Sequence, residues 1–281
     1  MGAPTQFAIG LILCAAVLHA VWNAVVKGSA DRVITLGLIN LGHGLVGAVM
    51  VVLFLPPARE AWPFIAASTF IHYFYYGFLL VAYRFGDLSQ VYPIARGVAP
   101  VLVALGAQFF AGEVLPPVAW AGILIISFAI GAQTFGRRGA RINASALAAA
   151  VLTGITIASY SVADGMGVRV SGSPLGYIGW LFALEAVSTA VLLGMRWDKL
   201  RDYPLKNYVI GIGGGLISAL AYGLAIYAKS LTSLGAVSAI RESSVIIAAL
   251  IGVVWFGERP WKLRMISVVF VVIGIVLLAT A

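Results

Sequence analysis

Two arginines stand inside long apolar stretches of this chain, where a guanidinium can bind an anion. Arg96 lies in the segment YPIARGVAPV and Arg241 in the segment SAIRESSVI. On insertion scales, a charged side chain at the centre of a membrane span costs about 2.5–3.5 kcal/mol, and it usually faces the bundle interior or an aqueous pathway. Each arginine therefore either binds a substrate carboxylate or gates a pathway, or it satisfies buried carbonyls at a structural site. The residues alone leave both interpretations open.

Aromatic and polar side chains share helix faces near these arginines. His72 and Tyr76 are four residues apart in FIHYFYYGF, which puts them on one face of a helix. Tyr92 and Arg96 repeat that spacing in the next apolar stretch. These positions predict an amphipathic cavity, with packing of the rings as the alternative. The predicted substrate-binding residues are Trp22, His72, Tyr73, Tyr76, Tyr92, Arg96, Tyr160, Trp180 and Tyr222.

A carboxyl group in the middle of an apolar stretch suggests proton coupling. Glu185 lies in LFALEAVST without a base beside it in the sequence. Burial disfavours the charged form of a carboxyl group, and histidine titrates near physiological pH. We predict proton coupling or gating by His43, Glu185 and Arg241, the alternative being hydrogen-bonded core residues. No HExxH, GxSxG or GxxxxGK[ST] pattern occurs, so the sequence predicts no catalytic residue, no metal and no cofactor.

These residues must be positioned by membrane helices. The chain has 281 residues, of which 62% are hydrophobic and 10% charged, and its mean hydropathy is +1.02. A bilayer core needs about 20 apolar residues per helix, and a membrane barrel would show short alternating segments instead. The sequence predicts an all-α membrane protein of about ten spans. The predicted spans are 6–27, 33–55, 62–84, 88–111, 117–135, 143–167, 174–196, 207–229, 235–256 and 262–281.

Basic residues are distributed unevenly between alternate loops. The net charge is +8, but the bases sit in short connections, where they set orientation rather than bind nucleic acid. Of the 18 lysines and arginines, two lie within spans and three (Arg59, Arg169 and Lys229) follow even-numbered spans, which leaves 13 after odd-numbered spans. Because cytoplasmic loops are rich in bases, this distribution predicts that both termini lie outside the cell.

An internal repeat relates the two halves. A shift of 145 residues aligns Arg96 with Arg241, and the pair Gly112-Glu113 with the Gly-Glu pair at 257–258. We predict two five-helix repeats, 1–140 and 141–281, that together form one membrane unit. An odd number of helices in each half inverts the second half relative to the first. Inverted repeats are typical of secondary transporters, whose substrate site lies at the repeat interface near the midplane.

The motifs resemble those of a known family. HAVWNAVVKGS in span 1, YPIARGVAPV in span 4 and a Gly-Glu pair after spans 4 and 9 resemble the drug/metabolite transporter superfamily, in its EamA-type branch of ten helices. Within it, the chain is most similar to bacterial amino-acid exporters, including those for aromatic amino acids. The resemblance implies an uncoupled or proton-driven carrier with a central cavity, in the bacterial inner membrane, with both termini in the cytoplasm. That orientation disagrees with the loop charges.

The function expected from the sequence is export of amino acids, including aromatic ones, or of similar small metabolites, by alternating access. An antiporter of phosphorylated or nucleotide-sugar-like solutes, with Arg96 and Arg241 as the anion clamp, is the alternative within transport. A membrane-embedded enzyme acting on lipid is a further alternative, although the chain shows no clustered catalytic groups. The expected partners are a small-molecule substrate and the lipid bilayer, without nucleic acid, and the expected state is a monomer or a weak homo-oligomer.

Overall fold

The computed structural model describes residues 4–29, 31–85, 88–136, 143–247 and 261–281, and within these ranges it contains helices and no strand. Six helical segments are long and apolar enough to cross a membrane, and two shorter apolar helices accompany them. Large apolar side chains such as Val52, Phe109 and Phe128 are 84%, 78% and 80% exposed, an arrangement that lipid favours and water does not. The all-α, multi-pass membrane fold predicted from the sequence is confirmed.

Most helices begin and end within a few residues of the predicted spans. Thr5, Asp31 and Asn143 cap helix N-termini with their side-chain oxygens, and Gly112, with φ of 64°, follows the end of α4. The helices are α1 Gln6–Lys27, α2 Arg32–Leu53, α3 Trp62–Phe85, α4 Leu88–Phe110, α5 Pro117–Ala132, α6 Ala144–Val170, α7 Pro174–Glu185, α8 Val187–Gly194, α9 Trp197–Leu200, α10 Leu205–Lys229, α11 Leu234–Arg241 and α12 Trp261–Thr280.

Two predicted spans are not continuous helices. Span 7 is divided at Ala186 into α7 and α8. In span 9, α11 ends at Arg241, and residues 242–243 form a turn before helix resumes at 244–247. Hydropathy does not reveal such local breaks, and Pro174–Gly194 is still long and apolar enough to cross a membrane as one segment, as predicted for span 7. The remainder of span 9, and the boundary between the predicted repeats, lie outside the described residues.

Helix pairing divides the molecule into two apolar cores. One core joins α4, α5, α11 and α12 through side chains such as Ile123, Ile126 and Ile240. The other joins α3, α6, α7 and α10 through residues such as Ile65 and Phe182. Glycines allow close approach between α2 and α10, since a Cβ added at Gly42 would lie 2.8 Å from the Cα of Gly215. The cavity described below is bordered by residues from helices of both cores.

Candidate functional site

A cavity between the two cores collects most of the polar residues that the sequence singled out. It is bordered by side chains of α1, α2, α3, α4, α6, α7, α10 and α11, and it measures about 80 Å³. At roughly 30 Å³ per water in the liquid, this space holds about three waters. The predicted site residues that line it are Trp22, His43, His72, Tyr76, Tyr92, Arg96, Tyr160, Glu185, Tyr222 and Arg241.

Arg96 is held by a buried carboxylate. Its Nε donates to Glu242 Oε2 at 3.0 Å, and its Nη2 lies 2.8 Å from Glu242 Oε1. The side chains are 6% and 3% exposed, and the pair combines one charge-assisted hydrogen bond, through Nε, with a close contact between opposite charges. Arg96 belongs to α4 and Glu242 to the turn after α11, so the ion pair joins the two halves of the chain.

Arg241 has no carboxylate partner within the described ranges. Its Nη2 lies 3.2 Å from His19 Nδ1, and its guanidinium carbon lies 5.4 Å from the centre of the Tyr222 ring. The indole N–H of Trp22 also donates to His19 Nδ1, at 3.2 Å. Since two N–H groups point at the same nitrogen, His19 accepts through Nδ1 and carries its proton on Nε2. The residue Arg241 is 8% exposed and lines the cavity.

Glu185 lies between the imidazoles of His43 and His72, which also line the cavity. Its Oε2 is 3.3 Å from His43 Nδ1, and its Oε1 is 3.3 Å from His72 Nδ1. His43 Nε2 lies 3.0 Å from the hydroxyl of Ser218. His72 Nδ1 lies 2.8 Å from the carbonyl of Ser68, which can only accept, so this nitrogen carries a proton.

Stacked and edge-on rings form much of the remaining wall. The ring of His72 stacks on Tyr160 with centroids 4.0 Å apart, and Tyr75 meets Tyr160 edge-on at 5.8 Å. Tyr222 meets Tyr160 edge-on at 5.9 Å and stacks on Phe182 at 6.1 Å. These contacts fix the rings relative to one another, so the wall offers both ring faces and hydroxyl groups to a solute.

Two predicted residues lie away from the lining. The hydroxyl of Tyr73 donates to the carbonyl of Leu184 at 3.0 Å, next to the helix break. The ring of Trp180 packs against Trp62 with centroids 5.0 Å apart. Neither borders the cavity, because the helix positions of these side chains point away from its axis.

The sequence reasoning missed a buried carboxylate, Asp164, and the cavity residue Tyr75. Asp164 is fully buried and accepts from the hydroxyls of Tyr177, at 3.2 Å, and Tyr222. An acidic residue inside the predicted span 6 was itself the signal that could have found it. Tyr75 offered no separate signal beside its tyrosine neighbours.

A second polar network fixes the ends of α4, α6 and α10. Glu113 accepts from Arg169 Nη2 at 2.7 Å and from the backbone N–H of Leu234 at the start of α11. Arg169 also donates to the carbonyls of Lys229 and Thr232, at 2.9 and 2.8 Å. Arg169 and Lys229, two of the three bases assigned to even-numbered loops from the sequence, thus lie largely within the protein, with Lys229 2% exposed. The repeat counterparts of Gly112 and Glu113, at 257–258, lie outside the described residues.

Comparisons with known proteins identify the class to which this architecture is similar. Residues 144–280 match the model of the EamA-like transporter family. A crystal structure of another protein has a TM-score of 0.73 and 17% sequence identity to this chain. The aligned region covers 97% of this chain and 96% of the other chain. At that identity the likeness concerns the fold. A search of the curated proteins finds no significant match.

Proposed function

We propose that this protein is a secondary transporter that exports amino acids, including aromatic ones, or similar small carboxylates. The observation that carries the proposal is the difference between the two arginines of the cavity. Arg96 is bonded to Glu242, whereas Arg241 contacts a histidine nitrogen and a tyrosine ring and has no carboxylate partner in the described ranges. The other carboxylate of the cavity, Glu185, lies against two imidazoles. A buried charge without a partner is costly, so Arg241 favours a solute that brings one carboxylate.

The rest of the cavity suits the remainder of an amino acid. An ammonium group binds favourably over the faces of tyrosine and tryptophan rings, and Trp22, Tyr75 and Tyr160 line the cavity. Space for about three waters is small, so the cavity must widen to admit a whole amino acid. A larger side chain requires the ring wall to open, and the division between α7 and α8 provides a place where it can.

Alternating access is supported by the way the helices pair. Exchange of the proposed halves, 1–140 and 141–281, converts the pair α1–α10 into the pair α6–α3, and both pairs are extensive. The same exchange leaves the pairs α4–α11 and α5–α12 unchanged, because each pair joins two helices that are equivalent in the repeat. Arg96 and Arg241 exchange under the same operation and border the same cavity. Inverted repeats around a midplane site move by rocking one unit against the other.

Export of phosphorylated or nucleotide-sugar-like solutes is less well supported by this geometry. A phosphate group needs more positive charge than one guanidinium supplies, and two-point binding by both arginines would be its natural clamp. Because Glu242 occupies the guanidinium of Arg96, a solute with a single negative charge fits better. We propose the bacterial inner membrane as the location of this transporter, as the resemblance of its motifs to those of bacterial exporters implies.

Counterflow in proteoliposomes tests the proposal. Vesicles are loaded with one unlabelled amino acid at a time, and entry of the same amino acid in radiolabelled form is followed without any ion gradient. We expect exchange for at least one amino acid, with little exchange by the Arg241→Gln protein and normal exchange by the Trp180→Phe protein. Failure of every amino acid, together with exchange of glucose 6-phosphate, would replace the proposal with the phosphorylated-solute alternative.

A further inference from the structure

The cluster of Glu185, His43 and His72 is built to hold a variable number of protons. Each carboxylate oxygen of Glu185 faces a nitrogen of a different imidazole at 3.3 Å. All three residues are buried, with Glu185 1%, His43 5% and His72 4% exposed. With both imidazoles neutral, the carboxylate carries an uncompensated buried charge. One added proton brings the cluster to zero net charge. Groups this close titrate as a unit rather than one by one.

Hydrogen bonding accommodates both protonation states of His43. Its Nδ1 faces Glu185, and its Nε2 faces the hydroxyl of Ser218 at 3.0 Å. A serine hydroxyl can donate to a bare imidazole nitrogen or accept from a protonated one by rotating its hydrogen. Gain or loss of the proton therefore leaves no buried polar atom of this imidazole without a partner. A site fixed in one state would not need a partner that both donates and accepts.

The cluster is connected to the cavity and to a helix break. Glu185, His43, His72 and Ser218 all border the cavity. Glu185 is the last residue of α7, and its carbonyl accepts from the hydroxyl of Ser188 at 2.7 Å. That hydroxyl accepts in turn from Asn40 at 2.7 Å, and Asn40 accepts from the cavity hydroxyl of Tyr76 at 2.9 Å. A proton at Glu185 and a solute at Tyr76 thus act on one connected structure.

Other ionisable groups surround Glu185 without neutralising it. Arg96 and Arg241, two guanidinium groups of this cavity, contact Glu242 and His19 respectively. The groups facing the cluster from the packed helices are His43 of α2, His72, Tyr73, Tyr75 and Tyr76 of α3, Tyr160 and Asp164 of α6, Tyr177 of α7 and Tyr222 of α10. Since the tyrosines are neutral at ordinary pH and Asp164 is bonded to two of them, the two imidazoles are the bases nearest Glu185. His43 is hydrogen-bonded to Glu185, and His72 holds its Nδ1 proton against the Ser68 carbonyl and acts on Glu185 through its charge when protonated.

We propose that Glu185, His43 and His72 form a proton-binding site and that one proton held there is exchanged for the solute in each transport cycle. The proposal rests on the transport function proposed above. The proton enters the cluster from the outer solution, neutralises it, and leaves to the cytoplasm after the solute has been released outside. Glu185 and the imidazoles act as proton carriers, whereas Arg241 holds the solute.

The first experiment uses proteoliposomes that are acidic inside and contain pyranine to report internal pH. The labelled solutes are L-alanine, L-leucine, L-phenylalanine and L-tryptophan. We expect accumulation of up to about tenfold for each pH unit of gradient, the limit for exchange of one proton, with a matching rise in internal pH. The Glu185→Gln protein should keep gradient-free counterflow but lose accumulation, whereas the Glu60→Gln protein, changed at an exposed carboxylate, should retain both. Counterflow that persists in the wild type without any response to the gradient would overturn this inference and leave the proposed function intact.

The second experiment needs no solute. Infrared difference spectra of the reconstituted protein are recorded between about pH 5 and pH 8, where imidazole titrates. We expect carboxyl and imidazole bands that change together in the wild type and are lost in both the Glu185→Gln and His43→Gln proteins. Identical spectra from the wild type and the Glu185→Gln protein would overturn the proton site even if no transported solute were found.

Discussion

Replacing Arg96 by methionine should destabilise the protein far more than the same change at Arg241. The two arginines are related by the repeat and border the same cavity, but their partners differ. Arg96 makes a two-point ion pair with Glu242, at 2.8 and 3.0 Å. Arg241 contacts a histidine nitrogen and a tyrosine ring. Methionine matches the length of the apolar part of arginine, so the comparison isolates the guanidinium group.

The magnitude follows from what each substitution leaves behind. Removing one partner of a buried ion pair costs about 3–5 kcal/mol, because the other charge stays buried and unpaired. Arg241 still lies within electrostatic range of Glu242, which places the cost of Arg96→Met near the lower end, about 3 kcal/mol. Arg241→Met leaves the ion pair intact and removes one hydrogen bond and one cation–π contact, together about 1–2 kcal/mol.

Thermal unfolding of the purified protein in detergent, followed by tryptophan fluorescence, measures the difference. At roughly 2–4 °C per kcal/mol for a chain of this size, Arg96→Met should lower Tm by about 6–12 °C, and Arg241→Met by one third to two thirds as much. The double variant Arg96→Met/Glu242→Leu should recover most of the loss, since it leaves no buried charge. An equal or larger loss in Arg241→Met would refute the distinction between the two arginines.

Three further outcomes are expected. Gly215→Ala should lower stability by about 1–3 kcal/mol, because the added Cβ would lie 2.5 Å from a carbonyl oxygen of α2; Gly213→Ala, with nothing within 4 Å of its Cβ, should leave Tm unchanged. Burial raises the pKa of Asp31, but two backbone N–H groups of α2 and the side chains of Arg196 and a neighbouring lysine lower it further, to below its usual 3.8. The Asp31 carboxylate therefore stabilises the fold above that pH, and this stabilisation is lost as the pH falls through the lowered pKa. Asp31→Asn should have a lower Tm than the wild type at pH 7, and the two Tm values should converge in acid. A difference in Tm that does not depend on pH would contradict the assigned cause. A C-terminal reporter that is active only in the cytoplasm should stay inactive, because the loop charges predict that the termini lie outside. Lys229, one of the three bases that count against this orientation, is 2% exposed and so is not a loop charge. Reporter activity in the cytoplasm would reverse the orientation.

The fold was largely predictable because each membrane helix is encoded locally. Hydropathy and loop punctuation located α1 to α6 within a few residues of their ends. The breaks after Glu185 and Arg241 were not predictable in this way. The first break lies in apolar sequence, and there the carbonyl of Leu184 accepts from the hydroxyl of Tyr73 on α3. At the second break the turn is closed by backbone bonds such as Ser243 N–H to the Ile240 carbonyl, and the Glu242 side chain binds Arg96 of α4. A break of this kind depends on tertiary contacts that no local pattern encodes.

The residues around the cavity were predictable in kind but not in their pairing. Ionisable and aromatic side chains within spans are costly or unusual in lipid, which makes them conspicuous. Their partners, however, are distant in the chain: Arg96 and Glu242 are 146 residues apart, and His43 and Glu185 are 142 apart. Arg96 was among the substrate-binding residues predicted from the sequence, and Arg241 among those predicted for proton coupling or gating. The pairing with Glu242 makes Arg241 the better candidate.

The central claim is that Arg241 binds the carboxylate of the transported solute. Equilibrium binding of an exchanged amino acid and of its amide, to the wild-type and Arg241→Gln proteins, tests that claim most directly. A charge-assisted hydrogen bond contributes about 1.5–3 kcal/mol, so the wild type should bind the acid roughly 10- to 150-fold more tightly than the Arg241→Gln protein does. The amide should bind both proteins with similar affinity. Unchanged affinity of the Arg241→Gln protein for the acid would contradict the account.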